Sequence, residues 1–222
     1  MAKLVTQIHQ CEMSSRCSLA CKYCAHPKMP RAKLDMTLEV FEKVLDRVAS
    51  YVAKGTQHEL NLCGIGESTI HPRFCEFVAL ARKRLPTIDL TMATNGVGLT
   101  EEMAQAMADA RMRVWVSLHR PEKAGIAIEI LKRHGILHGV SADPSIAAVN
   151  WAGQVKWHVS APPMRCMWQA DGLAIAWSDG RLGTYSFDGQ GTDGVIGTVW
   201  DEPDTLFTKP YSLCKTCHMQ IQ

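Results

Sequence analysis

The chain has 222 residues, of which 46% are hydrophobic, so it can bury one sizeable core but is too short for two domains of ordinary size. Its 24 Lys and Arg residues nearly balance 22 Asp and Glu residues, and the net charge of +2 indicates neither a nucleic-acid nor a membrane surface as partner. The N-terminus lacks the apolar stretch of a signal peptide, and no run approaches the roughly 18 apolar residues of a membrane span, so we expect a cytoplasmic protein without membrane contact.

Strand-like and helix-like patterns alternate from the N-terminus onwards. Apolar runs of strand length alternate with segments in which apolar residues recur at helical spacing, as in the segment that Thr37 is expected to cap. This alternation predicts right-handed βαβ units, an α/β fold and a parallel sheet. The predicted strands are 4–9, 58–62, 88–92, 113–118, 136–140 and 155–159, and the predicted helices are 38–54, 72–85, 100–110 and 122–134.

Three cysteines follow the first predicted strand on a polar loop. Cys17, Cys21 and Cys24 are spaced four and then three residues apart, and thiolates are the ligands that iron–sulfur clusters use. Three thiolates on one short loop can hold three corners of a cubane and leave its fourth iron open to another ligand. The competing interpretation is a zinc knuckle in which His26 is the fourth ligand.

The Cys-x3-Cys-x2-Cys spacing, with Tyr23 immediately before the last cysteine, resembles the signature of the radical S-adenosylmethionine (SAM) enzymes. The resemblance implies an open, partial (β/α)6 TIM-like barrel with its active site at the C-terminal strand ends. It also implies a 4Fe–4S cluster on the three cysteines, SAM on the open iron and Tyr23 near the adenine. In this family an electron from the reduced cluster cleaves SAM to methionine and a 5′-deoxyadenosyl radical, which abstracts hydrogen from an unactivated carbon.

Later strand ends carry motifs similar to those that bind SAM in this family. The Cys-Gly-Ile-Gly-Glu sequence after the second strand resembles the glycine-rich motif for the SAM amino group, which implicates Gly64, Gly66 and Glu67; an ordinary tight turn is the alternative. Asn95, in Thr-Asn-Gly after the third strand, resembles a motif near the methionyl end of SAM, or forms a plain turn. Ser117, at the end of the fourth strand, stands where relatives bind the SAM carboxylate or ribose.

Two residues are candidates for a catalytic role, and neither is assigned one. His119 follows the serine of the fourth strand at a position where relatives often carry an acid, so the family role of that position is not transferred. A histidine there is equally compatible with a hydrogen-bonded residue on the barrel rim. Tyr185 is the second candidate, because it stands in the C-terminal part of the chain where relatives carry another cysteine.

The character of the sequence changes after residue 160. Residues 161–222 are rich in Gly, Asp and Thr and contain short β-like runs, such as 173–177 and 195–199. We therefore expect a barrel over residues 1–160 and a small appended β-hairpin module over residues 161–222.

The order of motifs in this module resembles the twitch/SPASM extension of radical SAM enzymes: a cysteine, an Asp-Gly hairpin turn, an Ile-Gly segment and a closing Cys-x2-Cys. The resemblance implies that Cys166, Cys214 and Cys217 hold an auxiliary 4Fe–4S cluster. A closed zinc site that adds His218 is the alternative. Relatives carry another cysteine where Tyr185 stands here, so we expect three thiolates and a fourth iron open to a substrate; Tyr185, His218 or a leftover cysteine could close it instead.

The expected substrate follows from a further resemblance, to small twitch-bearing enzymes of bacterial viruses that remodel amino-acid-decorated thymine bases in DNA. Our specific prediction is isomerisation of a glycyl-decorated thymine base, with a small molecule or a modified nucleobase, free or within DNA, as substrate. Peptide modification and a non-enzymatic zinc- or metal-binding role are the alternatives. The resemblance also implies a flavodoxin- or ferredoxin-type electron donor.

Several cysteines and tryptophans are expected to be structural. Cys11, Cys63 and Cys75 belong to neither cysteine group and are predicted to be buried thiols. Large aromatic side chains dominate the burial of small modules, and base stacking would require exposed rings beside a basic groove. Three tryptophans near the junction of barrel and module are therefore expected to pack in cores rather than to stack on nucleobases, namely Trp151, Trp157 and Trp168.

Overall fold

The computed structural model describes residues 2–118, 120–141, 151–156, 164–186, 188–217 and 219–220. Helices alternate with strands over the first 141 residues, and shorter strands follow. The helices are α1 (Leu38–Ala53), α2 (Phe74–Arg84), α3 (Glu101–Asp109), α4 (Pro121–Arg133) and α5 (Met167–Ala170). The strands are β1 (Lys3–Leu4), β2 (Gln7–Cys11), β3 (Glu59–Asn61), β4 (Asp89–Thr94), β5 (Arg113–Ser117), β6 (Leu137–Ser141), β7 (Met164–Arg165), β8 (Leu173–Ala176), β9 (Arg181–Gly183), β10 (Val195–Thr198), β11 (Phe207–Thr208) and β12 (Met219–Gln220).

Eight strands form one sheet in the order β10-β9-β8-β2-β3-β4-β5-β6. The six strands from β8 to β6 in that order run parallel to their neighbours, whereas β9 and β10 add antiparallel at the β8 edge. The carboxyl ends of the parallel strands therefore meet along one edge of the sheet, where α/β folds place their ligands. The predicted α/β class with a parallel sheet is confirmed.

Threonine side chains cap helices α1 and α3, and helices α1 to α4 cover one face of the sheet. The Thr37 hydroxyl accepts a hydrogen bond from the amide of Val40 at 3.3 Å, which satisfies one of the free amides of the first turn of α1. Phe41 of α1 stacks on Phe77 of α2 with ring centroids 4.3 Å apart, and both side chains are fully buried. Helices α1 to α4 share one hydrophobic core with this face of the sheet.

The first five predicted strands and all four predicted helices are present, with boundaries shifted by one to three residues. The sixth predicted strand, 155–159, is not observed where it is described: Val155 and Lys156 lie outside any strand, and residues 157–159 lie outside the described residues. The sixth parallel strand is β8, which pairs with β2 on the side opposite β3. This strand comes from the segment that the sequence assigned to the appended module, so the sheet crosses the proposed boundary at residue 160.

A second hydrophobic cluster covers the other face of β8. Leu173, Ile175 and Trp177 point into this cluster, while Ala174 and Ala176 point into the main core, as the two-residue period of a strand requires. Trp168 is buried in the cluster, as predicted. Trp157 lies outside the described residues, and so does the side chain of Trp151.

Backbone hydrogen bonds join the N-terminal residues to the C-terminal segment. β1 pairs antiparallel with β11, and the amide of Thr6 donates to the carbonyl of Gly172 at 2.9 Å. None of the helices among the described residues has the length and apolar character that a membrane span requires.

Candidate functional site

The cysteine loop lies directly above the carboxyl ends of the parallel strands. Cys17, Cys21 and Cys24 are half-buried and line a cavity of about 240 Å³. The ends of β3, β4 and β5 form the rest of its wall, so motifs far apart in the sequence meet in one place. The sequence-predicted SAM residues that line this cavity are Tyr23, Gly64, Gly66, Glu67, Asn95 and Ser117.

Backbone amides are directed at two of the three sulfurs. The amide of Leu19 donates to Cys17 Sγ at 3.4 Å, and the amide of His26 donates to Cys24 Sγ at 3.4 Å. Such bonds stabilise negative charge on sulfur, yet burial still raises the pKa of Cys24 to about 12. Burial alone therefore favours the protonated thiol, and a bound cation would favour the thiolate.

His26, the fourth ligand in the zinc alternative, lines the same cavity but has one ring nitrogen engaged with the backbone. The His26 ring is buried, and its Nε2 atom lies 3.0 Å from the carbonyl oxygen of Ser15. Among the residues that the structure describes, no three His, Cys, Asp or Glu side chains converge on a single-ion site. The three thiols instead surround a cavity, which is the arrangement that a multi-iron cluster requires.

Gly64 and Gly66 allow one loop to pack on another. A Cβ atom at Gly64 would lie 2.5 Å from Glu12 Cβ, and one at Gly66 would lie 2.2 Å from the Ser14 carbonyl oxygen. We expected these glycines to let the backbone approach a ligand. The structure shows that they let the glycine loop approach residues 12–16, while the opposite side of the loop lines the cavity.

Glu67 joins the glycine loop to the end of β4. Its buried carboxylate accepts hydrogen bonds from the hydroxyl of Thr94 at 2.8 Å and the amide of Asn95 at 2.7 Å, and from the amide and hydroxyl of Thr69 at 3.2 and 2.9 Å. Burial raises the pKa of Glu67, and these hydrogen bonds oppose that shift. The geometry makes the side chain a structural link, although the residue was predicted as a cofactor contact.

The Thr-Asn-Gly motif forms a turn and also reaches the cysteine loop. Asn95 Oδ1 accepts from the amide of Val97 at 2.8 Å, and Asn95 Nδ2 lies 3.7 Å from Cys17 Sγ. Ser117 ends β5 at the cavity wall. His119, the neighbouring candidate, lies outside the described residues.

A second, smaller cavity holds the other cysteine triplet. Cys166, Cys214 and Cys217 line a cavity of about 20 Å³ together with Tyr185. Gln169 Nε2 donates to Cys214 Sγ at 3.4 Å. Burial and the neighbouring thiols of Cys217 and Cys166 raise the pKa of Tyr185. The predicted grouping of these four residues is thus observed, whereas the zinc alternative depends on His218, which lies outside the described residues.

The remaining three cysteines belong to neither triplet. Cys11 is buried in the main core, Cys63 is buried and lines the first cavity, and Cys75 is half-buried on α2. The prediction of buried thiols holds for the first two, and Cys75 is more exposed than expected.

The sequence analysis missed the buried pair of Glu12 and Arg31. Arg31 donates to both carboxylate oxygens of Glu12, at 2.7 and 2.9 Å, and the pair lies directly beneath the glycine loop. The available signal was a glutamate directly after an apolar strand, a position where an unpaired charge would be costly.

Solved structures with the same fold include two described as complexes with AdoMet. One is BtrN in complex with AdoMet and 2-DOIA, with a TM-score of 0.70, 19% identity and coverage of 90% of this chain and 80% of that chain. The other is anSMEcpe with bound AdoMet, with a TM-score of 0.62, 14% identity and coverage of 87% and 75%. At these identities the likeness establishes the fold.

Two curated relatives match part of the sequence. The tungsten-containing aldehyde ferredoxin oxidoreductase cofactor-modifying protein of Pyrococcus furiosus is 31% identical over 151 residues, which is 66% of this chain and 39% of that protein. GTP 3′,8-cyclase of Paenarthrobacter nicotinovorans is 29% identical over 110 residues, 48% of this chain and 30% of that enzyme. The chain thus spans about two fifths or less of the length of these relatives. The family model of the radical SAM superfamily matches residues 11–163, and the chain belongs to that superfamily.

Proposed function

We propose that this protein is an enzyme that cleaves SAM reductively at a 4Fe–4S cluster held by Cys17, Cys21 and Cys24. The observation that carries the proposal is the single cavity in which the three thiols meet the glycine loop, Asn95 and Ser117. When bound and reduced, such a cluster supplies the electron that cleaves SAM to methionine and a 5′-deoxyadenosyl radical. The family and the observed parallel sheet support this assignment.

The residues of the chain position the cluster and SAM and exclude water from the cavity. The amides of Leu19 and His26 and the side-chain amide of Asn95 direct N–H groups at the ligand sulfurs, so the reducible site has donors in its outer shell. Glu67 fixes the glycine loop against the end of β4. The apolar side chains of Leu19 and Ile65 line the same cavity and limit the access of water to a reactive radical.

The test is anaerobic reconstitution with iron and sulfide, followed by reduction in the presence of SAM. The protein should become brown, show a paramagnetic reduced cluster and release 5′-deoxyadenosine. Cys17→Ala should abolish both the SAM-dependent change in the spectrum and the product. Cys75→Ala, which removes a thiol outside both cavities, is the matched control and should retain them. A protein that holds only zinc after reconstitution would contradict the proposal.

We also propose an auxiliary 4Fe–4S cluster on Cys166, Cys214 and Cys217 in a twitch/SPASM-like module. The common cavity of these thiols supports the proposal. None of the other six cysteines lies against this cavity, so no cysteine is placed to supply a fourth thiolate. We propose that the fourth position accepts the α-amino-carboxylate of the substrate, for which an iron with an open position is a suitable Lewis acid.

A variant that lacks Cys17, Cys21 and Cys24 isolates the auxiliary site. It should retain about four irons, and substrate or amino-acid analogue labelled with nitrogen-15 should couple to the paramagnetic signal of the reduced cluster. Tyr185→Phe removes the phenol that could occupy the fourth position, and it should leave this coupling intact. A signal that changes in the Phe variant without substrate would instead identify Tyr185 as the ligand.

For the substrate we propose an amino-acid-decorated nucleobase, with isomerisation of a glycyl-decorated thymine as the specific reaction. An amino-carboxylate bound at the auxiliary site would present its α-carbon for hydrogen abstraction, and one curated relative is named as a cyclase of GTP, also a nucleobase compound. Peptide modification is the second candidate. Measuring 5′-deoxyadenosine with modified nucleosides, duplex DNA carrying them and candidate peptides distinguishes these classes. Turnover with peptides alone would overturn the nucleobase proposal.

The electron donor is proposed to be an acidic flavodoxin- or ferredoxin-type protein. Residues 13–34 contain no Asp or Glu, and Lys22, Lys28 and Lys33 are exposed on this segment. None of these three lysines forms an ion pair with the described acidic residues, whereas Arg16 pairs with Asp35 at 2.8 Å. The loop that carries the cluster ligands therefore presents positive charge on its outer side, which complements an acidic partner.

A further inference from the structure

Glu12 is buried at the end of β2, directly beneath the candidate SAM cavity. Its side chain is 0% exposed and that of Arg31 is 2% exposed, and the two form a bidentate pair at 2.7 and 2.9 Å. Charge-assisted, bidentate pairs of this kind fix geometry strongly. The hydroxyl of Ser178 also donates to Glu12 Oε1 at 3.2 Å. With the amide of Ile65, the carboxylate is thus held by groups from three segments of the chain.

The second carboxylate oxygen is bonded to the glycine loop. The amide of Ile65 donates to Glu12 Oε2 at 3.1 Å. Gly64 lies so close to Glu12 that a Cβ atom there would be 2.5 to 2.8 Å from three atoms of the side chain. The loop therefore rests directly on Glu12, and no alternative side chain fits between them.

This bond determines which way the Gly64 carbonyl points. In a trans peptide the N–H of Ile65 and the C=O of Gly64 lie on opposite sides of the bond, and all described peptide bonds are trans. Gly64 and Ile65 line the cavity, whereas Glu12 does not. With the N–H directed down to Glu12, the Gly64 carbonyl oxygen is directed towards the cavity.

We propose that Glu12 is a positioning residue that aims the Gly64 carbonyl oxygen at the ammonium group of SAM. The inference rests on the proposed function, because it takes SAM as the ligand of this cavity. A carbonyl oxygen held in place accepts a hydrogen bond from a cation without reorganisation at the moment of binding. Without Glu12 the peptide between Gly64 and Ile65 is free to rotate, and the acceptor is no longer fixed.

Arg47 provides a buried comparison outside the cavity. It lies on α1, is buried, and donates to the carbonyls of Val199 at 3.1 Å and Asp201. It thus joins the barrel to the C-terminal segment, and it is not among the residues that line the cavity. Losing Arg47 should lower stability without a specific effect on the ammonium group.

The experiment measures dissociation constants of SAM and of its 2-oxo analogue, in which a carbonyl replaces the ammonium group, with the reconstituted protein. The readout is the change that each ligand causes in the absorption and circular-dichroism spectra of the oxidised first cluster, which does not cleave SAM. The preference for SAM is the ratio of the dissociation constant of the 2-oxo analogue to that of SAM. In wild type this ratio reflects the contact of the ammonium group with the iron and its contact with the Gly64 carbonyl, and only the second contact depends on Glu12. Glu12→Met with Arg31→Met removes both charges, which limits the loss of stability, and should lower the preference about tenfold.

Glu12→Gln is nearly isosteric and keeps a neutral acceptor for the Ile65 amide, so its preference should fall only about threefold. Arg47→Met should retain the full preference. An unchanged preference in Glu12→Gln and in the double variant would overturn the inference. If the double variant fails to fold, Glu12→Gln alone decides: an unchanged preference there overturns the inference. Failure of wild type to respond to SAM would contradict the proposed function instead.

Discussion

The side chain of Asn95 connects the end of β4 to Cys17, a proposed cluster ligand. Its Nδ2 atom is directed at Cys17 Sγ at 3.7 Å, and an N–H donor near a ligand sulfur stabilises the more negative, reduced state of a cluster. Asn95→Ala should therefore shift the reduction potential of the first cluster by about 20–60 mV to more negative values. A redox titration followed by paramagnetic resonance measures the shift.

Ser18→Ala is the control for that shift. Ser18 Oγ lies 3.5 Å from the same Asn95 Nδ2 atom. Removing this hydroxyl leaves the N–H donor near Cys17 Sγ in place, so the variant should keep the wild-type reduction potential. Equal potentials in wild type and Asn95→Ala would show that the contact has no electrostatic effect on the cluster.

Glu67 should make the stability of the protein depend on pH in a defined direction. Burial raises its pKa above the ordinary value of 4.5, so the folded protein binds the proton more tightly than the unfolded chain. Stability then falls as pH rises from about 4.5 through the raised pKa. Glu67→Gln cannot titrate, so the stability of wild type should decline relative to this variant over the same range. Urea unfolding of the metal-free protein from pH 4 to 7 measures the difference.

The same variant has a fixed cost at every pH. The Gln amide nitrogen must face a backbone donor, either the amide of Asn95 or the amide of Thr69, because only the hydroxyls nearby can turn to accept from it. One buried amide then loses its partner at a cost of about 1–3 kcal/mol. Glu76→Gln, at an exposed ion pair with Arg73, is the control and should leave stability nearly unchanged. A pH-independent difference between wild type and Glu67→Gln would contradict the assigned pKa direction.

At the scale of elements, the packing of the glycine loop against residues 12–16 is the feature most sensitive to an added side-chain atom. Gly66→Ala places a methyl group 2.2 Å from the Ser14 carbonyl oxygen, a backbone atom that cannot move aside. The loop must shift, so we expect loss of at least about 2 kcal/mol of stability and loss of the SAM-dependent spectral change. Gly125→Ala, in the open middle of α4, should instead stabilise the protein by up to about 1 kcal/mol.

The elements that the sequence predicted well are those whose signals are local. The caps at Thr37 and Thr100 and the helical spacing that follows each depend on residues within a few positions, so α1 and α3 were predicted to within two residues. The sixth strand was misplaced because Leu173–Ala176 and residues 155–159 carry similar apolar runs. Only pairing with β2, more than 160 residues away, selects the first of them.

The site was predictable to the extent that its residues occur in motifs. The first cysteine triplet was predicted from its spacing and the second from the resemblance to a twitch/SPASM module, and each lines one cavity. The pairing of Glu12 with Arg31 was not predicted, because the two residues lie 19 positions apart and no sequence motif connects them. Their importance follows from the fold, which brings the ends of β8, β2 and β3 side by side.

At the scale of the whole molecule, charge is distributed unevenly although the total is nearly balanced. The net charge is +2, yet the exposed lysines Lys22, Lys28 and Lys33 lie on the loop around the first cysteine triplet. Electrostatic steering by such a patch raises association rates and weakens with salt. With an acidic protein donor at low salt, replacing all three lysines by Glu should lower 5′-deoxyadenosine formation at least about tenfold.

The small reductant dithionite separates docking from chemistry in this last experiment. It needs no protein contact, so the Lys22→Glu, Lys28→Glu, Lys33→Glu variant should match wild type when dithionite supplies the electrons. The matched control replaces Lys43 and Lys83 by Glu; both lysines are exposed, on α1 and α2. This variant should form 5′-deoxyadenosine at the wild-type rate with either reductant. Wild type should slow with added salt when the protein donor is used, and the lysine variant should respond less. Equal loss with both reductants would show that the lysines act on the cluster itself and not on docking.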